Sequence, residues 1–182
     1  MKAEKRGFKN LSQEYIVYAL LELMEEKAYS DITITEITQR AKIARRTFYL
    51  NFASKQDVLN TYFDSLFLDF MDALRDYSYS DLREKARAYF KFWEEKLSLV
   101  LLLEKNHLFE LLIKKYSEKL SDQDFFNSSR DLGKTFSEKE LKIVILFNAA
   151  GLWKMLEYWA LTGQRETAEE MATIFYKIVR NE

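Results

Sequence analysis

The sequence predicts an all-α fold of about nine helices, on three observations. Its 182 residues contain no proline, where average usage would supply about nine. Only four glycines punctuate the chain. Apolar residues make up 48% of it and recur at helical spacing through most of its length. Proline and glycine are the residues that end or weaken helices, so their scarcity favours long uninterrupted ones.

Each helix has its own signals. Residues 1–10 form a polar, net-basic arm that reads as a frayed terminus. Ser12 is the expected cap of a first helix in which Ile16, Leu20, Leu23 and Met24 face inward and which Lys27 ends. Ala28-Tyr29-Ser30-Asp31 breaks the pattern. Two short helices joined by a tight turn follow between Ile32 and Lys55, and a first helix packed across them completes a three-helix head. A long fourth helix runs from about Ser54 to Tyr77, and the cluster Tyr77-Ser78-Tyr79-Ser80-Asp81 is a turn with Ser80 as cap. Helices over Asp81–Lys96, Leu97–Leu103 and Asn106–Leu120 come next. Ser121 to Phe136 reads as a mobile connection. Capping boxes Ser137-x-x-Glu140 and Thr167-x-x-Glu170 then open the last two helices, which end at Gly163 and near Arg180. The division expected is a helix-turn-helix head over 1–53 and a helical-bundle body over 54–182.

Composition removes several function classes. The absence of cysteine excludes disulfides, thiolate metal sites and cysteine nucleophiles. One histidine, no glycine-rich phosphate loop and no Glu-x-x-His pair leave no catalytic constellation and no metal or cofactor site to nominate. His107 reads as an exposed or capping residue. The apolar runs Leu97–Leu103 and Ile143–Trp153 are too short to span a bilayer, and no apolar signal core follows the amino terminus, so a soluble cytoplasmic protein without a membrane partner is expected. The net charge of −1 is unevenly spread: residues 1–60 carry ten Lys/Arg against eight Asp/Glu, the remainder 18 against 21.

The stretch Ile32–Lys55 concentrates that basic excess. Ile34, Ile37 and Ala41 form one apolar stripe, and Phe48 and Phe52 form another at i and i+4. The outer faces hold Thr33, Thr35, Arg45, Arg46, Thr47, Tyr49, Asn51 and Lys55. No acidic residue occurs between Glu36 and Asp57, an imbalance suited to a phosphate backbone. At the start of the second helix, Arg45 and Arg46 could present paired donors to guanine in a major groove. Thr47, Tyr49 and Asn51 could reach phosphate or base edges, and Thr33 and Lys55 neighbouring phosphates.

The pattern T-x-x-x-I-x-x-x-A followed by T-F-Y-x-x-F-x-S-K, carried by Thr33, Ile37, Ala41, Thr47-Phe48-Tyr49, Phe52 and Ser54-Lys55, resembles the DNA-binding domain of TetR-family transcriptional regulators. The resemblance covers about residues 11–60. Lys42 stands where members often have glycine, Ala44 where they have a Ser or Thr cap, and Arg46 where they have a small residue. By resemblance, Thr33, Thr47, Tyr49, Asn51 and Lys55 match DNA-contact positions, and double-stranded DNA is the expected partner.

The resemblance also implies a pocket in the body for a small apolar or aromatic ligand, for which Phe63, Phe67, Phe70, Phe90, Trp93, Phe109, Tyr116 and Phe147 are candidates. It further implies a homodimer joined through the last two helices, with Ala149, Trp153, Leu156, Phe175 and Ile178 as candidate interface residues. Two recognition helices related by a two-fold would read a palindrome, spaced about 34–36 Å apart. The expected function is a ligand-responsive repressor. The competing expectation is a helical protein-binding adaptor, or an activator or co-regulator of the same fold.

Overall fold

The computed structural model describes residues 7–75, 82–120, 137–163 and 165–180. Among these, the secondary structure consists of nine α-helices and a single 3-10 turn at Tyr29–Asp31, with no strand. The helices are α1 Leu11–Glu26, α2 Ile34–Arg40, α3 Arg45–Asn51, α4 Lys55–Leu74, α5 Leu82–Glu94, α6 Leu97–Lys105, α7 Phe109–Leu120, α8 Glu138–Leu161 and α9 Ala168–Arg180. The expected all-α class is therefore observed. The expected cap Ser80 and the connection Ser121–Phe136 lie outside the described residues.

The chain gathers into two compact units that divide between Asp69 and Phe70, inside α4. The division expected at 53/54 falls where that helix begins. Val58, Leu59, Tyr62, Phe63 and Leu66 are buried residues of the first unit, so most of α4 belongs with the head.

In the first unit α1, α2 and α3 pack mutually around Ile16, Leu20, Met24, Ile37 and Phe48. The cap of α1 is Asn10 rather than Ser12: its Oδ1 accepts the Gln13 N–H at 3.0 Å, while the Gln13 side chain accepts the Lys9 N–H at 2.8 Å. The end of the arm is thus ordered. Gly7 lies so close to α4 that a Cβ there would stand 2.9 Å from Ser65 Cα. Arg40 ties α2 to α1, reaching both carboxylate oxygens of Glu26 at 2.8 Å and Glu22 at 3.4 Å.

The second unit is held chiefly by α5 against α9, with α8 packed on α6 and α7. Arg87 Nε meets Glu169 at 2.6 Å across the first pair. Its core is aromatic. Trp93 and Trp153 stack edge-on at 5.3 Å, Tyr116 and Trp153 at 5.4 Å, and Phe90 packs on Trp159 at 5.8 Å. Both expected capping boxes form, at Ser137/Glu140 and Thr167/Glu170. His107 is exposed with φ +56°, closing α6 as Leu108 N–H reaches the Leu103 carbonyl and His107 N–H that of Glu104.

Candidate nucleic-acid interface

The interface begins with how α2 is started and stopped. Thr33 caps α2 in a capping box: Glu36 N–H donates to Thr33 Oγ1, and Thr33 N–H to the Glu36 carboxylate at 2.9 Å. Lys27 and both donors of Thr33 converge on that carboxylate and hold it down to about 2, the Lys27 bond contributing most. At the other end Ile43 N–H returns to the Thr38 carbonyl at 3.0 Å and Lys42 N–H to that of Gln39 at 3.1 Å. This closure requires a left-handed residue, and Lys42 takes it with φ +55°. Lysine at the usual glycine position keeps the turn, at a cost in backbone strain.

Two residues later α3 begins at Arg45, and Ala44 supplies no side-chain cap. Phe48 is fully buried and packs on Phe52 with ring centroids 6.1 Å apart, which fixes the rotation of α3 about its axis. The face turned outward is therefore Arg45, Arg46, Tyr49 and Leu50. Arg45 Nη2 donates to the Tyr49 hydroxyl at 3.2 Å, with its guanidinium 5.7 Å from the Tyr49 ring centre. Tyrosine and arginine thus preorganise each other on the surface. Thr33 and Thr35 are also exposed, at the start of α2.

Thr47, Asn51 and Lys55 are half-buried. Asn51 Nδ2 donates to the Thr47 carbonyl at 2.8 Å, and Asn51 Oδ1 accepts from Asn10 Nδ2 at 3.0 Å. That amide connects the end of α3 to the start of α1. Lys55 Nζ donates to the carbonyls of Tyr29, Ser30 and Ile32 at 2.6, 2.9 and 2.9 Å and sits 4.5 Å from the Tyr29 ring centre. Partial burial lowers its pKa. An ammonium has three protons, and all three are engaged within the head. At the start of α4, Ser54 Oγ accepts the Asp57 N–H and Asp57 accepts the Ala53 N–H, so two donors there are also satisfied internally.

Sequence reasoning missed Leu50, which is 75% exposed on the outward face, and the bridging role of Asn10. An apolar residue breaking the Phe48/Phe52 spacing was the signal for the first. The Asn10-x-x-Gln13 spacing was the signal for the second.

In the second unit Phe70, Phe90, Trp93, Phe109 and Tyr116 are buried together, whereas Phe147 is 75% exposed on α8 and so points away from that interior. Phe63, buried, and Phe67, half-buried, belong to the first unit. Of the five residues expected at the dimer interface, Trp153, Leu156 and Phe175 are buried inside the body and Ala149 is half-buried. Ile178 is 66% exposed.

This head, a three-helix unit displaying one cationic helix, defines a helix-turn-helix regulator. Residues 16–62 match the family described as bacterial regulatory proteins, tetR family, and residues 80–181 match a transcriptional regulator C-terminal region. The chain belongs to the TetR family of transcriptional regulators. It is 28% identical over 153 residues, 78% of this chain and 75% of the relative, to the HTH-type dhaKLM operon transcriptional activator DhaS of Lactococcus lactis subsp. lactis (strain IL1403). It is 31% identical over 86 residues to the fatty acid metabolism regulator protein of Bacillus subtilis (strain 168), covering 47% of this chain and 40% of that protein. Two solved structures share the fold. A TetR transcriptional regulator from Streptococcus agalactiae 2603V superposes with a TM-score of 0.65 at 21% identity, covering 92% of this chain and 93% of the other. A dihydroxyacetone kinase operon activator DhaS gives 0.59 at 22% identity, covering 94% and 95%.

Proposed function

We propose that this regulator reads a palindromic DNA operator as a homodimer and that a small molecule bound in its body controls the reading. The observation that carries DNA reading is the outward face of α3. Arg45, Arg46 and Tyr49 are exposed there above a buried Phe48, in a stretch free of carboxylates from Ile37 to Gln56. A helix of this kind fits the major groove, where arginine donors match guanine and the surrounding phosphates compensate the charge. Thr35, exposed on the first turn of α2, would offer its hydroxyl to a neighbouring phosphate, while both donors of Thr33 are held by Glu36.

Dimerisation is supported by apolar side chains left uncovered on α8 and α9. Ile143, Phe147, Tyr158 and Leu161 are exposed on the first, and Ile174 and Ile178 on the second. Gly151 faces open space in mid-helix, where a mate could approach closely. Trp153, Leu156 and Phe175 would support that face from beneath. Control by a ligand is supported by the aromatic interior of the body. The buried Tyr89 hydroxyl and Trp93 indole N–H lack hydrogen-bond partners among the described residues, offering two donors to an oxygen-bearing aromatic or apolar molecule. Such a molecule controls DNA binding to the extent that it prefers the DNA-incompetent state.

The action we propose is repression, in the cytoplasm where the operator lies. No helix among the described residues is long and apolar enough to cross a membrane. Activation is the second reading, favoured by the activator name of the Lactococcus relative. Selection of bound sequences from random duplex DNA at two salt concentrations tests the main reading. An enriched palindrome with salt-dependent affinity is expected, and salt-sensitive binding without enrichment would refute it. A reporter behind that palindrome then gives the sign.

A further inference from the structure

Resting on the DNA-reading proposal, we propose that Leu50 recognises the 5-methyl group of a thymine in the major groove. Leu50 is the most exposed large apolar side chain described in the head, at 75%. It lies on the outward face of α3, one turn beyond Arg46 and next to Tyr49. Leucine in water forfeits the free energy of burial, and nothing among the described residues of the head covers it. Its neighbours decide what can. Arg45 and Arg46 are exposed on the same short helix, and the nearest carboxylates in sequence are Glu36 and Asp57. An apolar protein surface closing on Leu50 would strip water from those cations without pairing them, whereas a duplex supplies phosphates to them.

Within the major groove the choice narrows again. Guanine, adenine and cytosine present donors and acceptors there, and only thymine adds an apolar group. A leucine pressed on any other edge would leave polar base atoms dry and unpaired. Phe48 and Phe52 lock the rotation of α3, so Leu50 and Arg46 enter the groove together. The site they form is specific for a methyl beside a hydrogen-bonding base.

The experiment uses the full-length protein and the operator obtained by selection, with each thymine in turn replaced by deoxyuridine, which removes the methyl alone. At one thymine per half-site the replacement is expected to weaken wild-type binding about fourfold per methyl. The Leu50→Ala variant should bind thymine and deoxyuridine duplexes equally at that position. Leu50→Met, which keeps an apolar end, should retain the discrimination. The exposed side chain should leave the thermal unfolding of both variants at the wild-type temperature. Wild-type binding insensitive to deoxyuridine at every position would overturn the inference while leaving sequence-specific DNA binding intact, as would unchanged discrimination in Leu50→Ala. Absence of any preferred sequence would instead overturn the DNA-reading proposal, and this inference with it.

Discussion

Replacing Lys55 by alanine separates two roles that one lysine could have. The ammonium holds the carbonyls of Tyr29, Ser30 and Ile32 at 2.6–2.9 Å, fastening the 3-10 turn to the start of α4. A hydrogen bond from a charged donor nets about 1.5–3 kcal/mol, and water can replace the ammonium at the exposed Ser30 carbonyl. We therefore expect the head to lose about 2–3 kcal/mol of stability, read by urea unfolding. DNA affinity should fall for all sequences, but the dependence of log K on log salt should keep its slope. A lysine neutralising a phosphate contributes about 0.9 to that slope, hence about 1.8 for a dimer. Unchanged stability together with a slope reduced by that amount would refute the clamp and make Lys55 a backbone contact. Arg46→Ala is the control: loss of its exposed, base-facing guanidinium should reduce the preference for the operator over random DNA without loss of stability.

Three further outcomes follow from local geometry. Lys42→Gly should stabilise the head by about 0.5–1 kcal/mol in urea unfolding, because φ +55° strains an L side chain and glycine adopts it freely. The Glu36 carboxylate, held near 2 against an ordinary 4.5, binds protons less readily folded than unfolded. Its contribution is present above about pH 4.5 and lost as pH falls toward 2, so Glu36→Gln should flatten the acid limb of a stability–pH profile. Phe147→Glu with Ile178→Asp, both at exposed positions, should give a folded monomer in sedimentation analysis. A persisting dimer would move the interface elsewhere.

The helices were largely legible because local chemistry sets them. Capping boxes at Ser137/Glu140 and Thr167/Glu170 announce their own hydrogen bonds, and Phe48/Phe52 declare which side of α3 is hidden. What failed to show was which face of an all-round apolar helix turns inward. In α8, Phe147 is as apolar as Trp153 and only six positions away, yet one is exposed and the other buried. No periodicity distinguishes them when nearly every position is apolar. The site had a similar limit. Residue types on α3 marked a cationic surface, but the partners that engage Asn51 and Lys55 are backbone carbonyls, which accept, and a distant asparagine, which donates, and no spacing reveals them.

Asn10 gives its oxygen to α1 and its nitrogen to Asn51, which in turn holds the Thr47 carbonyl. Such an arrangement restricts how the two positions can drift over generations. Asn10→Asp would keep the cap but offer only oxygen to Asn51, whose amide could answer it only by turning over and releasing Thr47. Descendants of this sequence should therefore exchange positions 10 and 51 jointly, and a lineage that changes one alone inherits a reading helix seated at a different angle.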